Sequence, residues 1–260
     1  MPETTRFRFY RTEAIILKQM SIGDADRILT FITPGMGKLR AVAKGVRRVR
    51  SKLAGHVEVL NHVRLSLAQG RNLDVVSQAD SIHGFRGIRD NLDALSRALY
   101  FADLVDNFTV EESRVHSVYS LLLESLGWLE KDEFHELTPR YFEMKLLACS
   151  GYLPEMYKCV HCRSELMPAD HLFSVALGGI ICPNCQLLSQ SQLVPVSLNA
   201  VKVLRHLQRE EYPKAVQLKM SPALAGELER ILRANINHLL EREVKSASFV
   251  GLIASPRGNG

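Results

Sequence analysis

The sequence predicts a multidomain α+β protein: a small N-terminal β-barrel, then an α-helical domain with an embedded four-cysteine metal motif. Three observations lead there. From Thr12 to Ile82, short apolar runs are separated by turn residues. From Asp90 the apolar spacing becomes helical. Between residues 159 and 195, four cysteines form two Cys-x-x-Cys pairs, after which helical spacing resumes. The expected divisions are a β-barrel domain over 1–82, a first helical part over 83–158, a four-cysteine metal-binding insertion over 159–195, and a second helical part with a frayed tail over 196–260.

The strands are expected at Thr12–Met20, Arg27–Thr33, Lys38–Ala43, His56–Asn61, Val63–Ala68 and Leu73–Ala79. Pro34-Gly35-Met36-Gly37 joins the second and third as a hairpin turn, and Gln69-Gly70-Arg71-Asn72 precedes the last. Val63, Leu65 and Leu67 alternate with His62, Arg64 and Ser66, as a half-buried strand requires. Five or six short strands in so few residues suit a closed barrel. Amphipathic helices follow at Leu92–Val105, Ser113–Leu129 and Leu137–Ser150, then at Ser197–Gln208 and from Pro222 to about Glu243. Cys149 is expected on the apolar face of its helix, beside Leu146 and Leu147.

Cys159-Val-His-Cys162 and Cys182-Pro-Asn-Cys185 are separated by 19 residues. Each pair presents two thiolates on one tight turn, and two such turns complete a tetrahedron. Four protein ligands leave no open position, so the expected cofactor is one structural Zn²⁺ held by Cys159, Cys162, Cys182 and Cys185. His161 is expected to lie exposed on its turn.

The net charge of +5 is unevenly spread: residues 1–80 carry +7 and residues 81–158 carry −5. Seven basic residues fall between positions 38 and 52 with no acid among them: Lys38, Arg40, Lys44, Arg47, Arg48, Arg50 and Lys52. Lys38, Arg40 and Lys44 share parity and so one strand face, while Leu39, Ala41 and Ala43 take the other. A basic face on a small barrel suits a phosphate backbone. Aromatic residues are sparse in this stretch, so the expected binding is dominated by phosphates and poor in sequence preference.

Several function classes receive no support. Apolar runs are far too short to span a membrane, and MPETTRFRFYRTE lacks the apolar segment of a secretory signal, so a cytoplasmic location is expected. Gly35-Met36-Gly37-Lys38 lacks the spacing of a phosphate loop, and no nucleophile or zinc-protease motif occurs. The expectation is a protein that is not an enzyme and takes no small-molecule substrate. Rival readings are an RNA-binding zinc protein, a metal-dependent nuclease using Asp24 and Asp26, and a protein-interaction module built on the acidic helices.

The stretch GDADRILTFITPGMGKLRAVAKGVRRVRSKL, Gly23 to Leu53, resembles the N-terminal segment of the bacterial DNA repair family RecO. GYLPEMYKCVHC (Gly151 to Cys162) and GGIICPNC (Gly178 to Cys185) are similar to that family's zinc region. The order of barrel, helices, zinc motif and helices is kept over most of the chain. Arg163 and Gln186 stand where zinc knuckles often carry glycine. The resemblance implies an OB-fold, binding of single- and double-stranded DNA, and annealing of complementary strands. It further implies a recombination mediator of the nucleoid that works with RecR to load RecA onto strands covered by single-stranded-DNA-binding protein.

Overall fold

A computed structural model describes residues 9–111, 116–131, 135–188 and 192–240. Contacts divide the chain into two compact units, one running to Asp132 and one spanning Glu133–Lys245.

The first unit opens with five strands: β1 (Phe9–Ile22), β2 (Asp26–Thr33), β3 (Gly37–Ala43), β4 (His62–Ala68) and β5 (Asp74–His83). They close in the order β1-β2-β3-β5-β4, with β4 returning to β1. All pairings are antiparallel except the short β3–β5 contact, which is parallel. This is an OB-fold. Period-two alternation sets its inside: Val63, Leu65 and Leu67 are fully buried with Leu29, Phe31, Ala41 and Ala43, while Arg64 faces solvent. The β2–β3 turn closes as its residues require. Gly37 takes a φ of 70°, and the buried Thr33 hydroxyl donates to the Gly37 carbonyl while accepting from the Met36 N–H.

The segment His56–Asn61, expected to be a strand, is irregular instead. Its apolar residues serve as a plug: Val57 enters the barrel core, and Leu60 is buried with a φ of 73°. The flanking backbone still bonds β1 through Leu60 N–H to Ile16 O and Ile16 N–H to Asn61 O. A short apolar run signals burial without specifying a pleat.

Three helices complete this unit: α1 (Arg86–Asp90), α2 (Leu92–Phe108) and α3 (His116–Glu130). Asn91 caps α2 by accepting from the Asp93 and Ala94 N–H groups. α2 packs on β1 and on α3, and α3 on β2.

The second unit contains α4 (Thr138–Cys149), a sheet of β6 (His171–Ser174), β7 (Gly179–Ile181) and β8 (Leu193–Val196), then α5 (Leu198–Arg209), α6 (Tyr212–Ala215) and α7 (Pro222–Leu240). The sheet order is β7-β6-β8. α4, α5 and α7 pack together around Phe142, Leu146, Leu204, Leu207 and Ile231. Cys149, expected in that core, is exposed. It ends α4, where the buried face has already turned away after Leu147. Among the described residues no helix is long and apolar enough to cross a membrane.

Candidate nucleic-acid interface and metal centre

Parity places the β3 side chains as expected, with Ala41 and Ala43 inside and Lys38 and Arg40 outside. Outward is not free, however. Lys38 Nζ donates to the Asp106 carbonyl at 2.6 Å and to its carboxylate at 3.1 Å, and its side chain is 13% exposed. Arg40 lies 3.7 Å from the Glu111 carboxylate, a longer and wetter pair. The stretch itself holds no acid, yet acids from elsewhere meet this face. The acids come from α2 and the residue stretch after it, far along the chain.

Lys44, Arg47, Arg48, Arg50 and Lys52 are exposed and form no ion pair among the described residues. The loop carrying them is firmly rooted. Gly45 takes a φ of 65°, and its N–H donates to the Asp26 carboxylate at 2.7 Å. Arg47 N–H donates to Ala25 O at 2.9 Å, and its guanidinium reaches Gly23 O at 3.2 Å. Val46 on one side and Leu53, Ala54 and Val57 on the other pack into the barrel core. Apolar anchors at both ends thus hold an arc whose cations are exposed and meet no carboxylate among the described residues. Such an arc can neutralise phosphates without reading bases.

Asp26, one half of the rival nuclease pair, serves as the cap of this loop. Among the described residues, the one group of three or more potential metal ligands is formed by the cysteines.

Those four cysteines converge from two turns and a β-strand end. The first turn is closed by Arg163 N–H to Cys159 O at 2.9 Å and Cys159 N–H to Ser164 O at 2.8 Å. The second is closed by Cys185 N–H to Cys182 O at 3.0 Å. Val160 N–H to Ile180 O ties the first turn to β7. Gly179 permits this approach: a Cβ there would come within 2.5 Å of Val160 Cγ1 and 2.6 Å of Glu155 O. All four sulfurs lie within 4.8 Å of one another, and Cys162 and Cys182 are 3.8 Å apart. A tetrahedron with metal–sulfur bonds of about 2.3 Å needs sulfurs roughly 3.8 Å apart. The residues therefore fit a tetrahedral thiophilic ion. Cys159 and Cys185 are buried against Ile181, with Leu166 and Leu193 beside them, while Cys162 and His161 face solvent.

The surroundings sort the thiols. The Ser164 hydroxyl and N–H, helped by Cys159, hold Cys162 down at about 6. At Cys159, burial acts upward, but the N–H groups of Cys182, Cys162 and His161 outweigh it and the thiol titrates below its usual range. Burial, then the neighbouring thiols, push Cys185 up to about 12. With no cation to share, four sulfurs cannot all ionise. A bound dication removes that conflict.

The sequence of the whole chain settles what carries these features. Residues 7–85 match the family model described as Recombination protein O N terminal, and residues 89–248 match Recombination protein O C terminal. The chain belongs to the RecO family. It is 41% identical over 245 residues to a DNA repair protein RecO of Roseiflexus sp. (strain RS-1), covering 94% of this chain and 86% of that protein. A RecO of Dehalococcoides mccartyi is 40% identical over 91% of this chain and 93% of its own length. One of Symbiobacterium thermophilum is 36% identical over 95% and 99%. The RecO family is one of DNA repair and recombination, and the four-cysteine cluster is a possible metal site within it.

Three features of this RecO chain escape sequence reading. Asp106 and Glu111 are acids brought to β3 by folding. Ser164 supports Cys162 at 3.0 Å; its place two residues after a ligand was a usable signal. The third is a polar pair between barrel and helix: Tyr119 Oη lies 2.9 Å from His62 Nε2, both buried, with Glu13 3.7 Å from the same nitrogen. Burial holds His62 below its ordinary range, against the opposing pull of Glu13, and pushes Tyr119 up to about 12.

Proposed function

We propose that this chain binds single- and double-stranded DNA without altering it chemically. In this reading it anneals complementary strands and works with RecR to load RecA onto strands covered by single-stranded-DNA-binding protein. The observation that carries the reading is the rooted loop on which Lys44, Arg47, Arg48, Arg50 and Lys52 project from an OB-fold with no acid paired to them among the described residues. Arg40, half-engaged with Glu111, joins them, whereas Lys38 is held by Asp106. Two strands repel through their phosphates. A cationic arc that holds one while admitting another lowers that repulsion and raises the local strand concentration. No bond in either strand need break, so the protein acts without catalytic turnover and in contact with the nucleoid.

Cys159, Cys162, Cys182 and Cys185 hold one structural Zn²⁺ in this proposal, supported by sulfur spacings that match a tetrahedral site. The ion's chemistry there is cross-linking: it joins the two cysteine turns.

A strand-annealing assay with two complementary labelled oligonucleotides tests the function. The native protein should accelerate pairing, and the variant carrying Arg48→Glu with Arg50→Glu should lose most of that acceleration. An undiminished rate in the folded variant would remove the loop from the reaction. Stronger binding to RNA than to DNA at matched salt would favour an RNA-binding protein instead.

A further inference from the structure

The cationic loop is not purely cationic. Val49 lies within it, flanked by Arg47, Arg48 and Arg50, and is 104% exposed, more open than any other large apolar side chain among the described residues. A single exposed valine is ordinary on a protein surface. This one is not isolated. Ile22, 46% exposed, pairs in register with Asp26 across the β1–β2 hairpin. Directly opposite residues of an antiparallel pair project to one face. The Asp26 carboxylate on that face accepts from Gly45, at the root of the basic loop. Ile22 and the loop root therefore share a side of the barrel, and Met20, 49% exposed and two residues before Ile22, has the same parity. Arg47 is tied to Gly23, the residue after Ile22.

We infer that Val49, with Ile22 beside the loop root, forms an apolar contact for unpaired bases within the phosphate-binding surface. The inference rests on the proposed DNA-binding role of the loop and deepens it. A phosphate-only surface has no use for apolar side chains among its arginines. Unpaired bases do offer them a partner, since the faces of splayed bases are apolar and exposed, whereas a duplex hides those faces in its stack. The charge of the loop commits the occupant to a polyanion, and the exposed Val49 commits it to one whose bases are accessible: a single strand. Asp24 is exposed in the same hairpin, and its charge disfavours close approach of a second phosphate backbone there. The surface therefore prefers single strands beyond what its charge provides.

The salt dependence of binding separates the two contributions, because an apolar contact releases no counterions. Fluorescence anisotropy with an oligothymidylate and with a duplex of equal length, each across a salt series, is the assay. Val49→Ser should weaken single-strand binding about fivefold at every salt concentration, the effect of losing roughly one small apolar side chain's burial, and leave the salt slope unchanged. Duplex binding should stay within about twofold. Val49→Phe should tighten single-strand binding by offering a larger face. Equal losses on both substrates, or no loss on either, would overturn the inference. The double variant Arg48→Glu, Arg50→Glu keeps the two levels apart. If it abolishes binding while Val49→Ser changes nothing, the loop holds DNA through phosphates alone. If it too changes nothing, the DNA-binding loop itself is misassigned.

Discussion

Replacing Arg48 and Arg50 by glutamate, and separately replacing Lys38 by methionine, asks whether the surface that holds DNA is the loop or the β3 strand. The two changes remove cations close together in sequence, yet the structure assigns them different fates. Arg48 and Arg50 are exposed and unpaired among the described residues, and the bonds that root the loop come from Gly45 and Arg47. Lys38 is mostly covered and spends two hydrogen bonds on Asp106. Each phosphate contact on duplex DNA adds about 0.9 to the slope of log affinity against log salt, which is about eightfold per tenfold change in salt. Losing two contacts should flatten the slope by about 1.8 and weaken binding at 0.1 M salt about sixtyfold relative to 1 M. Lys38→Met should leave the slope within about 0.3 of native. It should instead lower stability by roughly 1–3 kcal/mol, because the Asp106 carboxylate and carbonyl lose their donor. Salt-series anisotropy reads the first quantity, and denaturant unfolding followed by tryptophan fluorescence or circular dichroism reads the second. A slope flattened by about one unit in folded Lys38→Met would refute the assignment, since the pair with Asp106 would then have to open on DNA.

Protein purified without added metal should contain one Zn²⁺ per chain, and Cys182→Ser should lose it together with several kcal/mol of stability in the second unit, checked by elemental analysis and thermal melting. Arg163 occupies a left-handed φ of 64° on the first cysteine turn, so Arg163→Gly should raise the melting free energy of the metal-loaded protein by about 0.5 kcal/mol, the relief of strain less the added chain entropy. His62 titrates below 6.5 in the folded protein, so the unfolded chain takes up its proton first as pH falls. Stability should be unaffected by His62 above about pH 7 and decline as pH drops below 6.5 toward the lowered folded value, and His62→Gln should remove that part of the decline in acid melts.

Which parts of this chain were legible depends on how far the deciding contact lies along it. Val63, Leu65 and Leu67 could be assigned to the barrel interior because alternation is a local property of a strand, and they are fully buried. The four cysteines could be grouped because each turn delivers two ligands within four residues, and their sulfurs do converge. His56–Asn61 departs from the expected strand because apolar content reports burial, while the conformation depends on where β1 offers Ile16 as a partner. Cys149 departs from its expected place because two residues past Leu147, the last buried residue of α4, are enough to leave the core. Lys38 is the most instructive case. Its parity correctly places it outside the barrel, and its neighbours in sequence include no acid. The carboxylate that meets it stands 68 residues away on α2. Pattern along a strand determines which side a charge takes; only the fold determines whether another element already occupies that side. The loop after Gly45 escapes this ambiguity for a physical reason. Val46 and Val57 anchor its two ends in the core, and the cations it carries form no ion pair among the described residues.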